Sequence, residues 1–384
     1  MAQTTHLWLR EETKPAEHRA ALSPAVCKTL LDKGFKITVE KSDQRIFDNK
    51  EYSEVGCPLV EGGSWKQAPK DAFILGLKEL PEGETGPLEH RHIFFAHCFK
   101  GQAGWKELIG RFEAGKGKIL DLEFLNDERG RRVAAFGYYA GFTGAAFGLD
   151  AWARQVLRDQ EGSGPDKYPS IKPFKNEEAL ISQVKENVEK AIQAQGPGAT
   201  PPKILVIGAL GRCGSGAVDC ARKVGIPEER IARWDMAETS RGGPFVEITE
   251  SDVFVNCIYL TTSIPPFITQ ELLDAPTRKL RSIVDVSCDT TNPHNPIPIY
   301  SVNTTFQSPT LHIPSTNPLT LELMSIDHLP TALPREASEA FCRDLLPTIL
   351  ELGEPSALET TRVWREALEL YEKKVQEASS SSQV

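Results

Sequence analysis

Short apolar runs alternate with longer amphipathic stretches along the chain, and the alternation predicts strands and helices in turn. HLWLR (6–10) and FKITVEK (35–41) read as strands, with the helix PAVCKTLLDKG between them and Gly34 as its stop. DAFILGLK (71–78), HIFFAHC (92–98) and KILDLEFL (118–125) are further buried strands, the last preceded by the helix QAGWKELIGRFEAG. RRVAAFG (131–137) is expected to close this sheet. YYAGFTGAAFGLDAWARQVL then places small and aromatic residues at helical spacing, which suits a closely packed connecting helix. A Pro/Gly/Ser-rich loop (159–174), the helix NEEALISQVKENVEKAIQAQ and the break GPGATPP follow.

The next stretch, KILVIGALGRCGSGAVDCARKVG (203–225), is a short β-branched run, four glycines and an amphipathic helix. Strand, glycine loop and helix is the geometry that sets backbone N–H groups against a phosphate. Gly208, Gly211 and Gly214 are spaced G-x-x-G-x-x-G, not the usual G-x-G-x-x-G, so context must support the reading. RIARWD supplies it: a second strand ends in Asp235, about twenty residues on, where a carboxylate binds the ribose hydroxyls of NAD. The plain alternative is a βαβ unit without a ligand. SDVFVNCIYL (251–260) and RSIVDVS (281–287) are later strands, SCDTTNPHNPIPIY is turn chemistry, and helices are expected at 337–351 and 356–377. The expected class is α/β: two Rossmann-like domains, each a mostly parallel sheet flanked by helices, with the active site in the cleft between them. The substrate domain would be discontinuous, 1–137 plus 330–384, and the NAD domain would be 138–329.

Composition adds exclusions. A length of 384 residues allows two or three domains, and a net charge of −9 without a basic block argues against nucleic-acid or membrane-surface partners. No run approaches transmembrane length, and the N-terminus carries charges where a signal peptide needs an apolar core. A cytoplasmic protein is expected, and a monomer, since no exposed apolar stripe is evident. The eight cysteines include no C-x-x-C pair, so no structural metal is expected.

Ligands in open α/β sheets bind outside the carboxyl ends of strands. ILGLKE places Lys78 and Glu79 at one such end, and IFFAHC places His97 at another. Together they could share acid–base work near neutral pH if burial lowers the lysine pKa. Alternatively Lys78 reaches solvent and pairs with Glu79 or Glu123, and His97 is a satisfied core histidine. Arg19, Arg131 and Arg132 are candidate carboxylate readers or solvated surface arginines. Asp121 and Glu123 alternate in KILDLEFL and should project from one face. Cys213 in the glycine loop and Cys257 after VFVN would lie near one sheet edge, as free thiols or as a disulfide across the cofactor mouth. His328 in SIDHLP follows an expected strand and is placed to cap the cofactor site.

TKPAEHRAALSP, ILGLKELPE, FFAHCFKGQAGW, DLEFLNDERGRRVAAFGYYAGF, VIGALGRCGSGA, WDMAETSRGGPF, VDVSCDTTNPHNPIPIY and SIDHLPTALPREAS together resemble the saccharopine dehydrogenases of the NAD, L-lysine-forming type. The resemblance runs from about residue 6 to residue 350, and the fold is similar to that of alanine dehydrogenase and transhydrogenase-type proteins. It implies the final step of lysine biosynthesis by the aminoadipate route: saccharopine, NAD⁺ and water give lysine, 2-oxoglutarate and NADH. It also implies roles. Lys78 would be the base that deprotonates the secondary amine, and His97 the acid–base group for imine hydrolysis. Arg19, Arg132, Gln102, Phe136, Ser287, Cys288 and Asp289 would meet saccharopine. NAD would be held by Arg131, Gly211, Arg212, Asp235, Thr239, Tyr259, Val286, Ile326, Asp327, His328 and Leu329. Cys288 departs from the family, which is expected to carry a small alanine-like residue there. The tail SSSSQV lacks the peroxisomal tripeptide of some relatives, so a peroxisomal address stays open beside the cytoplasmic one. Two other readings are an alanine dehydrogenase-like enzyme, which needs fewer arginines, and a non-catalytic NAD-binding sensor, against which Lys78 and His97 together argue.

Overall fold

The computed structural model describes residues 4–81, 83–162, 167–288, 290 and 292–380. The chain forms two units, 1–136 with 334–384 and 137–333. In chain order the first unit begins with β1 (His6–Leu9), α1 (Pro24–Asp32), β2 (Lys36–Glu40), α2 (Asn49–Glu54) and β3 (Leu59–Val60). β4 (Phe73–Leu75), β5 (Arg91–Phe94), α3 (Trp105–Gly115) and β6 (Lys118–Asp121) follow. The second unit contains α4 (Gly137–Glu161), α5 (Glu177–Ala194), β7 (Ile204–Ile207), α6 (Arg212–Val224), β8 (Ile231–Trp234), α7 (Met236–Thr239) and α8 (Val246–Thr249). It continues through β9 (Val253–Asn256), α9 (Gln270–Asp274), β10 (Ser282–Asp285), β11 (Leu311–His312) and β12 (Glu322–Met324). The chain then returns to the first unit as α10 (Pro334–Glu351), α11 (Ala357–Thr360) and α12 (Arg362–Ser380).

The first sheet runs β3-β2-β1-β4-β5-β6, with every pairing parallel. Its strands are apolar on both faces because both are covered. Leu7, Leu9 and Ile93 enter the core that receives Phe341 and Trp364 from α10 and α12. Trp8, Ile74 and Ile119 point the other way, towards Phe112 of α3 and Tyr371 of α12. The second sheet runs β11-β12-β10-β9-β7-β8 and is parallel except for the edge pair β11–β12. Ile204, Val206, Val253, Val255 and Val284 face α4, α5 and α6, while Leu205, Ile207, Phe254 and Ile283 face the opposite core.

Local signals explain the helix ends. Ser23 accepts from the Val26 N–H at 3.3 Å with Pro24 next in the chain, and Asn176 accepts from the Ala179 N–H at 2.9 Å. Two expectations are corrected. KILDLEFL leaves its strand at Asp121 and turns through a 3₁₀ segment at Leu122–Phe124, so Asp121 and Glu123 do not share a strand face. Asp121 causes the turn by accepting from the Glu123 N–H at 2.8 Å. RRVAAFG adds no strand: it makes one isolated bridge, Asn126 with Arg132, before α4 begins at Gly137.

The connecting helix α4 packs as its small residues suggest. A Cβ on Gly141 would lie 1.8 Å from the Cys213 carbonyl oxygen, and one on Gly216 would lie 2.0 Å from the Tyr138 carbonyl oxygen. α4 and α6 therefore touch backbone to backbone. Gly110 in α3, by contrast, has nothing within 4 Å of a built Cβ. Gly141→Ala should destabilise the protein by about 1–3 kcal/mol, whereas Gly110→Ala should stabilise it by about 0.5–1 kcal/mol. Urea unfolding midpoints check the pair; two shifts of the same sign would contradict this packing.

Candidate functional site

In the first unit, strand exits bring the chemistry-bearing residues together. β4 and β5 are parallel neighbours, so the segments after them, carrying Lys78–Glu79 and His97, leave the same end of the sheet. Lys78 is buried, at 9 % exposure. Its loop is held by groups that hydrophobic patterning does not single out. Glu12 accepts from the Leu77 and Lys78 N–H groups at 2.6 and 2.9 Å, and Arg10 donates to the Lys78 carbonyl. Gly76 makes room for that guanidinium, since a Cβ there would lie 2.4 Å from Arg10 Nε. The sequence signal for these groups is the charged run following an apolar strand in HLWLREETK.

His97 is half-exposed and has φ +48°, a left-handed conformation rare for a residue with a side chain. Its Nδ1 lies 2.5 Å from Glu79 Oε1. Burial, the largest single influence, pushes the Glu79 carboxyl up, but the hydrogen bond with His97, a backbone hydrogen bond and the charges of His97 and Lys14 together hold the group at about 2. His97 thus pairs with Glu79, beside Lys78 in the chain. Lys14 lies 3.8 Å from the same carboxylate.

The candidate arginines already have carboxylate partners. Arg19 donates to both oxygens of buried Glu17, at 2.7 and 2.6 Å, and its guanidinium stacks 4.2 Å from the Phe136 ring centroid. Burial works against ionisation of Glu17, yet the charge and hydrogen bonds of Arg19, with Lys78 adding, hold it at about 2. Phe136 in turn stacks on Phe341 at 4.3 Å. Arg132 and Lys100 both reach Glu123 Oε1, at 2.5 and 2.9 Å, while Arg131 pairs with Asp127 at 3.0 Å. Gln102 accepts from the Lys100 N–H at 2.8 Å, so its oxygen also faces its own loop.

In the second unit the glycine loop suits a dinucleotide. Gly208 has φ +84°, and a Cβ on Gly214 would lie 2.1 Å from the Gly208 carbonyl oxygen. The loop can therefore close tightly only without side chains, and Gly211 and Arg212 open α6 at its N-terminus. Asp235 is anchored from both sides, Oδ2 accepting from the Leu210 N–H at 3.1 Å and Oδ1 from the Met236 N–H at 2.9 Å. A carboxylate retains lone pairs for ribose hydroxyls in that arrangement. Thr239 closes the turn onto the Asp235 carbonyl at 2.9 Å. Tyr259 is exposed at the segment after β9, and Val286 follows β10 directly. Ile326 and Leu329 are core residues, so only their backbone can face a cofactor, whereas Asp327 is exposed and His328 packs edge-on to Phe306 at 5.0 Å.

Ser287 donates to Asp285 at 2.6 Å, and Cys288, at φ +51°, directs its thiol to the Asp285 carbonyl at 3.3 Å. Asp289 lies outside the described residues. Cys213 and Cys257 are both free thiols. Among the described residues no helix is long and apolar enough to cross a membrane.

Residues 8–143 match the family model for the alanine dehydrogenase/PNT N-terminal domain. Saccharopine dehydrogenase [NAD(+), L-lysine-forming] from Schizosaccharomyces pombe is 56 % identical over 97 % of this chain and 98 % of its own. The protein of the same name from Yarrowia lipolytica is 54 % identical over 98 % of this chain and 99 % of its own. Among solved structures, an L-alanine dehydrogenase superposes with a TM-score of 0.66 at 17 % identity, covering 98 % of this chain and 99 % of its own. That likeness concerns the fold.

Asp121 offers a test of the site's electrostatics. Burial raises its carboxyl from 3.8 to about 6, against the opposing N–H groups of Glu123 and Ala96. The folded state therefore binds this proton more tightly than the unfolded chain. The stabilisation is complete below about pH 4 and is lost as pH rises through 6, amounting to about 3 kcal/mol. Asp121→Asn should flatten that decline, so the wild-type-minus-variant difference in urea stability should change between pH 4 and 7. A difference constant across the range would exclude the assignment.

Proposed function

We propose that this chain, which belongs to the NAD⁺-dependent, L-lysine-forming saccharopine dehydrogenase family, works through Lys78 and His97 as its acid–base groups. The reaction is oxidative deamination of saccharopine to lysine and 2-oxoglutarate, and its reverse. Full-length likeness to enzymes of that name carries the reaction. The adjoining exits of β4 and β5, with Lys78 on one and His97 on the other, support the roles.

The chemistry sets two demands. A secondary amine must be neutral before its carbon gives up hydride, so a base must take its proton. Lys78, buried on a loop whose backbone Glu12 and Arg10 fix, is the group proposed for that step. The imine left behind must then gain water. His97 meets the second demand, because with Nδ1–H donated to Glu79, Nε2 is the nitrogen that exchanges protons with water or substrate. NAD⁺ supplies the hydride acceptor, and the glycine loop, the α6 N-terminus and Asp235 are the groups proposed to hold it.

Saccharopine carries three carboxylates, and Arg19 and Arg132 are proposed to read two of them. Both are bound internally, so substrate must compete with Glu17 and Glu123 for guanidinium N–H groups. Gln102 and Phe136 would complete the contacts. The same reading takes the enzyme as a cytoplasmic monomer acting on small molecules, which a net charge of −9 suits.

The purified protein should oxidise NADH with lysine plus 2-oxoglutarate and not with ammonia plus pyruvate. Lys78→Met should lower kcat by about 10²-fold or more while the NADH dissociation constant stays unchanged. Equal losses in rate and cofactor affinity would refute the role given to Lys78.

A further inference from the structure

Three neighbouring strands of the second sheet end on a buried polar residue: β9 on Asn256, β10 on Asp285, and β12 just before Ser325. All three side chains are excluded from solvent. Register puts them side by side, since Asp285 pairs with Asn256 and Val284 with Met324. Such groups are costly unless they satisfy one another, and here they do. Asp285 accepts from Asn256 Nδ2 at 3.0 Å, from the Ser287 N–H at 3.1 Å, from Ser287 Oγ at 2.6 Å and from Tyr300 Oη at 2.7 Å. Tyr300 Oη also lies 3.0 Å from Ser325 Oγ.

The hydrogen bonds continue into the chain beyond each strand. Asn256 donates to the Ile258 carbonyl at 3.2 Å and accepts from its N–H at 3.4 Å, bending the segment that leads to Tyr259. Asp285 folds Val286 and Ser287 back over the end of β10. Ser325 is held from its backbone by Thr304 Oγ1 at 2.9 Å, immediately before Ile326.

The glycine loop follows β7 and Asp235 follows β8, so the pyrophosphate and adenosine ribose of NAD belong at that side of the sheet. In the strand order, β9, β10 and β12 lie on the other side of β7. The nicotinamide half must then run over their exits. We infer that Asn256, Asp285, Tyr300 and Ser325 form one positioning network that sets these three exits for the nicotinamide half of NAD. The inference rests on the reading that this unit binds NAD at the glycine loop.

Two ligands separate positioning from general stability. ADP-ribose tests the adenosine half, and NADH tests the whole cofactor; both are titrated calorimetrically against the full-length protein. Tyr300→Phe removes the hydroxyl linking Asp285 to Ser325 and keeps the ring. It should weaken NADH about tenfold and leave ADP-ribose within about twofold. Asp285→Asn turns one acceptor into a donor and should widen the same gap, and if it fails to fold Tyr300→Phe alone decides. Equal weakening of both ligands, or no change in either, would overturn the network's role. Wild-type protein that binds neither ligand would instead overturn the cofactor reading beneath it.

Discussion

The second unit depends on two helices whose backbones touch at glycines. Gly141 of α4 lies against the Cys213 carbonyl of α6, and Gly216 of α6 against the Tyr138 carbonyl of α4. Neither contact has a rotamer that can adjust, so the separation is set by backbone van der Waals radii. The consequence reaches the ligand end, because α6 opens at Gly211 and Arg212, where an anion would meet its N–H groups. Helix α4 also lies on the sheet. A Cβ on Gly144 would meet Val286 at 3.1 Å, and one on Gly148 would meet Val284 at 2.8 Å. The glycines of α4 thus index both the glycine loop at the start of α6 and the exit of β10.

The first unit solves a comparable problem with buried charge. Glu40 accepts from Trp8 Nε1 and from the N–H groups of Glu11, Gly63 and Trp65, at 2.5 to 3.0 Å. Glu12 does the same for the loop that carries Lys78, and Glu17 holds Arg19. A carboxylate removed from water is costly unless its oxygens are satisfied, and main-chain N–H groups of irregular segments are suitable donors. These acids therefore order loops that have no strand or helix ladder. His97 shows what such order permits: it keeps a left-handed backbone while its ring is tied to Glu79.

Much of this is legible in the chain. Apolar runs flanked by turn residues locate the parallel strands, because strands covered on both faces carry apolar side chains at every position. The glycine spacing and Asp235 mark the candidate cofactor end, and the endings ILGLKE and IFFAHC the candidate acid–base groups. What escapes is partnership. Alternation in KILDLEFL puts Asp121 and Glu123 on one strand face, but the Asp121 side chain bonds to the backbone two residues on and ends the strand. The arginines stand out only as candidates, for carboxylates or for solvent; that Arg19 and Arg132 already hold Glu17 and Glu123 is not legible.

By itself the sequence determined the alternation of elements, the places where only glycine fits a turn, and the family to which the chain belongs. Those features are local or are carried by contiguous motifs, so they survive reading one residue at a time. Only the tertiary structure decided that Asn256, Asp285, Tyr300 and Ser325 meet, that Glu12 reaches the Lys78 loop, and that Gly141 faces Cys213. These contacts join residues distant in the chain through burial and hydrogen-bond direction. Both come into existence only when the sheets close over their cores.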